Sequence, residues 1–374
     1  MDKVIVVLGT RPEAIKLVPV VQKLKQEEKF QTRVVTTAQH RELLDGVLEL
    51  FNLKPDYDLD IMSVGQSLTE VTINILAGLK EVLSDEGPDL VLVHGDTTTT
   101  LAASLAAFYQ RLPLAHLEAG LRSYRKYQPY PEEINRRLTS TLADLHFAPT
   151  KENYQNLLAE GVAREEIFIT GNTVIDTAQA TFLKDYQFNN QRLANISLQD
   201  DKVILVTAHR RENFGQPLEN ICRALKDLAA SDSDLRIIFP VHPNPKVKEV
   251  VYAKLAQQPQ ISLLEPLDYQ DFINLVARSY LILTDSGGLQ EEAPAFNKPV
   301  LVLRKRTERQ AGLKRGTLQL VGTAREEIVN RVQAILIDKA EYQKMAEAKN
   351  PYGDGRASRR VVDYLKYYFS LTSG

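Results

Sequence analysis

Short β-branched runs alternate with longer helical patterns along this chain, and the alternation occurs as two separate series. The first comprises "KVIVVLG", "TRVVTT", "DLVLVHG", "LPLAHLE" and "DLHFAPT". The second comprises "DKVILVTAH", "LRIIFPVH", "QISLLE", "YLILTDS" and "KPVLVLR". Near-continuous apolar runs mark strands buried on both faces, and helical crossovers between them make a sheet parallel. Two series therefore predict an α/β chain with two doubly wound sheets. A length of 374 residues suits two domains, and 44% hydrophobic residues can fill a core in each. The join is expected between about Thr170 and Asp201, where "NNQRLANISLQD" is polar and unperiodic. The resulting division is residues 1–170, residues 171–355, and a closing amphipathic helix over 356–374.

Lys and Arg total 46 against 48 Asp and Glu, a formal net charge of −2. So even a balance argues against nucleic acid or an anionic membrane as partner. No stretch approaches the ~20 apolar residues of a membrane helix, and "MDKVIVVLGTRPEA" lacks a signal-peptide shape. Cys222 is the only cysteine, so no intramolecular disulfide forms, and a reducing, cytoplasmic compartment is expected. Without a secretion signal, the sequon at Asn195 carries no weight.

In open α/β sheets ligands lie beyond the carboxyl ends of the strands. "GTRPEAIK" follows the first strand and holds a single glycine, so it is not a dinucleotide fingerprint, and NAD is not expected. Arg11 and Lys16 open a helix with Pro12 in its first turn, where N–H groups and the helix dipole favour an anion. The plainer reading is an exposed turn residue and a solvated helix face. Asp96 in "HGDTTTTLAA" could simply cap the next helix. Glu118 in "LEAGLRS" ends a strand, and Glu132 and Glu133 lie in a first helical turn, where acids suit the dipole. Taken together, Asp96, Glu118 and Glu132 put three carboxylates on one sheet edge. Clustered acids raise one another's pKa and suit acid–base chemistry.

In the second series, His209, Arg210 and Arg211 follow one strand and His242 another, a set that favours an anionic ligand. "TDSGGLQEEAPAF" places two glycines at a helix start after "YLILT", as diphosphate turns do, with Glu291 and Glu292 just behind. Phe272 is a core aromatic or a base-stacking one, and "LRKRTERQAG" is a solvated basic loop or a diphosphate clamp through Arg309. "DYDLD" lacks the later glycine and glutamate of a calcium loop, and neither HExxH nor CxxC occurs, so no dedicated metal site is expected.

A dozen motifs run in order along nearly the whole chain: "GTRPEAIK", "TAQHRELLD", "DYDLDIM", "VLVHGDTTTTLA", "HLEAGLRS", "PEEINRRLT", "GNTVIDT", "TAHRRENFG", "VHPNP", "TDSGGLQEEAP", "TER" and "NPYGDGRAS". Together they resemble the non-hydrolysing UDP-N-acetylglucosamine 2-epimerases. The resemblance implies a GT-B-like fold of two Rossmann-like domains facing a central cleft, with the last helix returning to the first domain. It implies a cytoplasmic homodimer that interconverts UDP-GlcNAc and UDP-ManNAc for surface polysaccharides, with UDP retained as an intermediate and no cofactor. By this resemblance the catalytic residues fall on Asp96, Glu118, Glu132 and His209, and nucleotide-binding positions on Arg11 and Lys16. Leu267 and Phe272 match the uracil pocket. Ser286, Gly287 and Gly288 match the diphosphate turn, Arg309 a diphosphate contact and Glu292 the ribose contact. Glu291 is expected on helix surface or in packing.

Two departures stand out. "TERQA" replaces the family's usual "TERPE", which bears on the loop after Arg309. Some members carry a second, activating UDP-GlcNAc site. Glu42 and Gly65 stand where those members have Gln and Arg, while Gln39, Arg210 and His242 remain. The alternatives are a hydrolysing relative that releases ManNAc and UDP, and a GT-B glycosyltransferase, which needs no proton shuttle at C2. Which acid serves which face of C2 stays open.

Overall fold

The computed structural model describes residues 1–37, 41–63, 65–196 and 202–372, with the backbone alone at 41–43 and 372. It divides into two units. The first runs Met1–Thr177 and resumes at Tyr352; the second is Ala178–Pro351.

The first unit is built on seven parallel strands: β1 (Asp2–Leu8), β2 (Phe30–Thr36), β3 (Tyr57–Asp58), β4 (Leu90–His94), β5 (Leu114–Leu117), β6 (Leu145–Ala148) and β7 (Ile167–Ile169). Their order is β3-β2-β1-β4-β5-β6-β7. The chain winds outward one way from β1 and the other way from β4, so the loops after these two strands flank the point where strand order reverses. Val4 to Leu8 are at most 2% exposed, because helices cover both faces of the sheet. One of these helices is Leu68–Glu86. Ser67 caps it by accepting the Glu70 N–H, and its stripe of Val71, Ile75, Leu79 and Leu83 packs against Val91 and Val93 of β4.

The second unit has six parallel strands: β8 (Lys202–Thr207), β9 (Leu235–Pro240), β10 (Ile261–Leu264), β11 (Leu281–Thr284), β12 (Val300–Val302) and β13 (Leu318–Leu320). Their order is β10-β9-β8-β11-β12-β13, with the reversal between β8 and β11. Its core lies on both faces, around Leu225, Ile237 and Phe239 on one and Leu205, Ile282 and Leu289 on the other.

Two boundaries differ from the sequence reading. The helix Thr173–Thr181 starts in the first unit, where Thr177 Oγ1 donates to Ile15 O at 2.5 Å, so that unit extends through Thr177. The polar stretch after Asn189 is no bare linker over its described part. Asn190 caps the short helix Gln191–Ala194, and Leu193 is fully buried. Asp271 accepts the N–H groups of Asn189 and Asn190 at 3.0 and 2.9 Å. The final helix Ala357–Thr372 belongs to the first unit. Phe369 meets Phe30 edge-on at 5.8 Å, and Lys366 pairs with Glu27 at 2.5 Å.

Candidate active site

The first unit gathers its candidates at the carboxyl edge of the sheet. After β1, Gly9 approaches Thr99 and Thr37 so closely that a Cβ would stand 2.3 and 2.4 Å from their hydroxyl oxygens. Thr10 stands at the N-cap of the helix Arg11–Gln26, and Glu13 accepts the N–H groups of Thr10 at 2.7 Å and Gly9 at 3.0 Å, the carboxylate half of a capping box. The same carboxylate accepts from Thr97 Oγ1 at 2.6 Å and Thr100 Oγ1 at 3.1 Å, tying the loop after β1 to the loop after β4. Burial pushes the Glu13 carboxyl up, and these hydrogen bonds offset it only in part. Arg11 is half-buried at the helix start and makes no ion pair among the described residues. Lys16 does not lie on a solvated face. It turns inward, 11% exposed in its side chain, and pairs with Glu118.

Asp96 follows β4, but it does not cap the next helix. Thr97 does, accepting the Thr100 N–H at 3.1 Å. Asp96 is instead held by Arg136 at 2.5 Å, while Asn135 donates to its carbonyl at 3.0 Å. Both partners lie on the helix Glu132–Leu142, which also carries Glu132. The adjacent acids of that helix divide their work. Glu133 is buried, accepts the N–H groups of Ser123 and Tyr124 at 2.9 Å each and pairs with Arg136 at 3.3 Å. Glu132 Oε2 is buried with no hydrogen-bond partner. A buried polar atom left unsatisfied costs stability and calls for a functional explanation.

Glu118 follows β5 in the left-handed region, φ 60°, and its side chain is 7% exposed. Asn172 Nδ2 donates to its Oε2 at 2.7 Å, and His94 Nε2 stands 3.8 Å from the same oxygen. His94, His116 and His146 lie on the neighbouring strands β4, β5 and β6, a buried group that sequence reading missed. Burial holds the first two imidazoles down at about 3 and His146 at about 4, so all three are neutral near pH 7. In the first unit, then, Glu118 meets Lys16, Asn172 and the neutral His94, and Asp96 is tied through Arg136 to the helix that carries Glu132. The arrangement can move protons and hold an anion.

The second unit presents its residues after β8 and β11. Asp285 is fully buried and organises the loop after β8, accepting the N–H groups of His209 and Arg210 at 2.9 Å each and Asn213 Nδ2 at 2.9 Å. Its Oδ1 lies 3.3 Å from His209 Nδ1, and the His209 ring stacks on His242 at 5.4 Å. Asp285 was missed in the sequence; its position at the end of an apolar run was the available signal. Arg210 Nε donates to Asp285 O at 3.3 Å, and His242 Nδ1 accepts from Asn244 N at 3.2 Å. Gln39 lies outside the described residues, as does the Glu42 side chain.

The glycine turn departs from the expected helix start. Leu289–Glu292 is one helical turn, continued as a 3-10 segment Ala293–Phe296, so little helix dipole stands behind it. Gly288 is right-handed, and Gly287 is closely approached: a Cβ there would stand 3.2 Å from Arg309 Cζ, so that side chain would have to give way. Glu291 is not on the surface. It is 2% exposed and pairs with Arg309 Nε at 2.8 Å, while Glu308 pairs with Arg309 Nη1 at 2.7 Å. Burial works to raise the Glu308 carboxyl, but Arg309 and Arg304 outweigh it and hold the group at about 2. Arg304 and Arg309 of the basic run therefore belong to an ion-pair network, while Lys305 and Arg306 between them are exposed. Thr307 Oγ1 donates to Gln290 at 2.6 Å, and Gln310 Nε2 donates to Thr307 O at 2.5 Å, which holds the loop after Arg309. Glu292 accepts from Tyr269 OH at 3.1 Å and lies near Gly288. Ser286 N donates to Thr284 Oγ1 at 2.9 Å. Leu267 and Phe272 are partly buried against the core and keep a partly exposed surface. Among the described residues no group of three or more His, Cys, Asp or Glu could hold a metal ion, and no helix is long and apolar enough to cross a membrane.

Comparison with known proteins gives the family. The family model for UDP-N-acetylglucosamine 2-epimerase matches residues 22–366. The UDP-N-acetylglucosamine 2-epimerase of Escherichia coli K12 is 53% identical over 371 residues, covering 97% of this chain and 98% of the relative. That of Bacillus subtilis 168 is 50% identical, covering 98% and 96%. A crystal structure of UDP-GlcNAc 2-epimerase from Neisseria meningitidis bound to UDP-GlcNAc is 47% identical, with a TM-score of 0.91, covering 98% of this chain and 100% of that one. Fold, motifs and full-length identity converge: this chain belongs to the UDP-N-acetylglucosamine 2-epimerase family.

Proposed function

We propose that the chain interconverts UDP-N-acetylglucosamine and UDP-N-acetylmannosamine, without net hydrolysis. The observation that carries this reading is the carboxylate group of the first unit: Asp96 held by Arg136, Glu118 held by Lys16 and Asn172, and Glu132 with an unpartnered buried oxygen. The C2 proton of the sugar is not α to a carbonyl, so it is barely acidic until the C1 substituent departs. A carboxylate takes the C2 proton, the C–H pair forms the C1=C2 bond, and the C1–O bond breaks towards UDP. The products of this step are 2-acetamidoglucal and UDP. Re-addition of UDP at C1, with a proton delivered to the other face of C2, gives the epimer. Neither elimination nor re-addition changes an oxidation state, so the path needs no hydride acceptor such as NAD.

The roles follow from the chemistry each group can supply. Asp96, Glu118 and Glu132 carry proton transfer, and His209 assists the departing diphosphate. Arg11, Lys16, Arg309 and the turn Ser286–Gly288 hold negative charge. Glu292 takes ribose hydroxyls, and Leu267 and Phe272 receive the uracil. A cytoplasmic homodimer supplying surface polysaccharide synthesis completes the proposal. The products test it: with UDP-GlcNAc alone, NMR should reveal UDP-ManNAc at equilibrium with substrate and little free UDP. Stoichiometric UDP with free ManNAc would replace it with hydrolysis, and no turnover without an acceptor with glycosyl transfer.

A further inference from the structure

Glu118 is steadied from outside its own loop. Asn172, just after β7, is 3% exposed and donates Nδ2–H to Glu118 Oε2 at 2.7 Å. Its amide can face only one way. Asn172 Oδ1 accepts the Val174 N–H at 3.2 Å, at the start of the helix Thr173–Thr181, which directs the NH2 group to the carboxylate. Its backbone N–H donates to Tyr352 O at 2.6 Å, where the chain re-enters the first unit. The neighbouring Gly171 packs on the same segment: a Cβ there would stand 3.2 Å from Tyr352 O and 3.3 Å from Gly353 Cα. Asn172 is thus held by two hydrogen bonds to backbone, and its neighbour by close packing, before it touches Glu118. Glu118 itself has a left-handed backbone, uncommon for a residue with a side chain. Lys16, from the helix after β1, grips the same Oε2.

We propose that Asn172 is a positioning residue for the reaction, one that holds Glu118 Oε2 so that the carboxylate keeps a single geometry as it gains and loses a proton. The inference rests on the reading of Glu118 as a proton-transfer group. Asparagine suits the place because it offers an acceptor to the helix and a donor to the acid in one short, rigid side chain. Aspartate would keep the first and oppose the second.

Asn172→Asp is therefore the informative variant. It retains the acceptor for Val174 N and nearly the same volume, and it sets one negative charge against another. A purely structural cap predicts wild-type kinetics. Positioning predicts a kcat about tenfold or more lower, part of the roughly 10²–10⁴-fold that an acid–base group supplies, with KM little changed. In an E118Q background the charge is gone, so N172D should add no further loss. Wild-type kcat in N172D, or an equal loss with and without E118Q, overturns the inference. If N172D does not fold, Asn172→Ser decides. Its hydroxyl can still accept from the helix but cannot span to Glu118, so lowered kcat supports positioning and wild-type kcat overturns it. E118Q alone separates the two claims: full activity there removes the reading of Glu118 itself, whereas an inactive E118Q beside a wild-type-like N172D removes only Asn172.

Discussion

Three buried histidines carry a pH dependence that can be worked out residue by residue. Burial disfavours the imidazolium of His94, His116 and His146, lowering the first two to about 3 and the third to about 4. In the unfolded chain each takes up a proton near pH 6.5. The neutral fold is therefore at full advantage above pH 6.5 and loses stability as pH falls from there towards 4. Glu13, which burial pushes up, acts in the opposite sense. With three protons taken up only on unfolding, the slope reaches at most about 4 kcal/mol per pH unit. The denaturant midpoint should fall clearly between pH 7 and pH 5, and His146→Gln should flatten that fall by about a third. Equal midpoints at the two pH values would mean that these rings are not held neutral. None of this was legible in the sequence, where a histidine inside an apolar run resembles any other strand residue. Glu132 and Glu133 show the same limit. They are neighbours in one motif, and only the helical phase that turns Glu133 to the N–H groups of Ser123 and Tyr124 separates them.

Elements were more legible where they were long. The five apolar runs of each series all became strands, because burial on both faces demands a run that composition alone betrays. β3, β7 and β13 escaped notice at two, three and three residues, too short to show any period. The motif "GNTVIDT" shows how an element is placed by a distant one. Asp176 accepts the N–H groups of Ala357 and Ser358 at 3.1 and 2.8 Å, and the Ser358 hydroxyl at 2.5 Å, so it starts the final helix. Removing it strands two buried N–H groups. Asp176→Ala should cost about 1–3 kcal/mol, and amide exchange should rise along Ala357–Thr372 before it rises in β1 or β4. Unchanged protection in that helix would show that packing of Phe369 and Lys366 suffices without the cap. Because this partnership spans some 180 positions of sequence, no local pattern announces it.

At the level of the molecule, both units repeat one plan, and the candidate residues follow it. Loops after β1 and β4 in the first unit, and after β8 and β11 in the second, flank the reversals in strand order. The sequence revealed this much, since post-strand residues can be picked out before any partner is known. It could not reveal which of them are held and by what: Asp96 by Arg136, Glu118 by Asn172, Arg309 by Glu291. The central claim is that the first unit's carboxylates move the C2 proton of a UDP-linked amino sugar. It is tested most directly by NMR of UDP-GlcNAc turned over in D2O by the wild type and by E118Q. The prediction is deuterium at C2 in wild-type UDP-ManNAc, and a rate of incorporation at least about a hundredfold lower in E118Q. Epimer formed without deuterium at C2, or incorporation in E118Q at the wild-type rate, would contradict it.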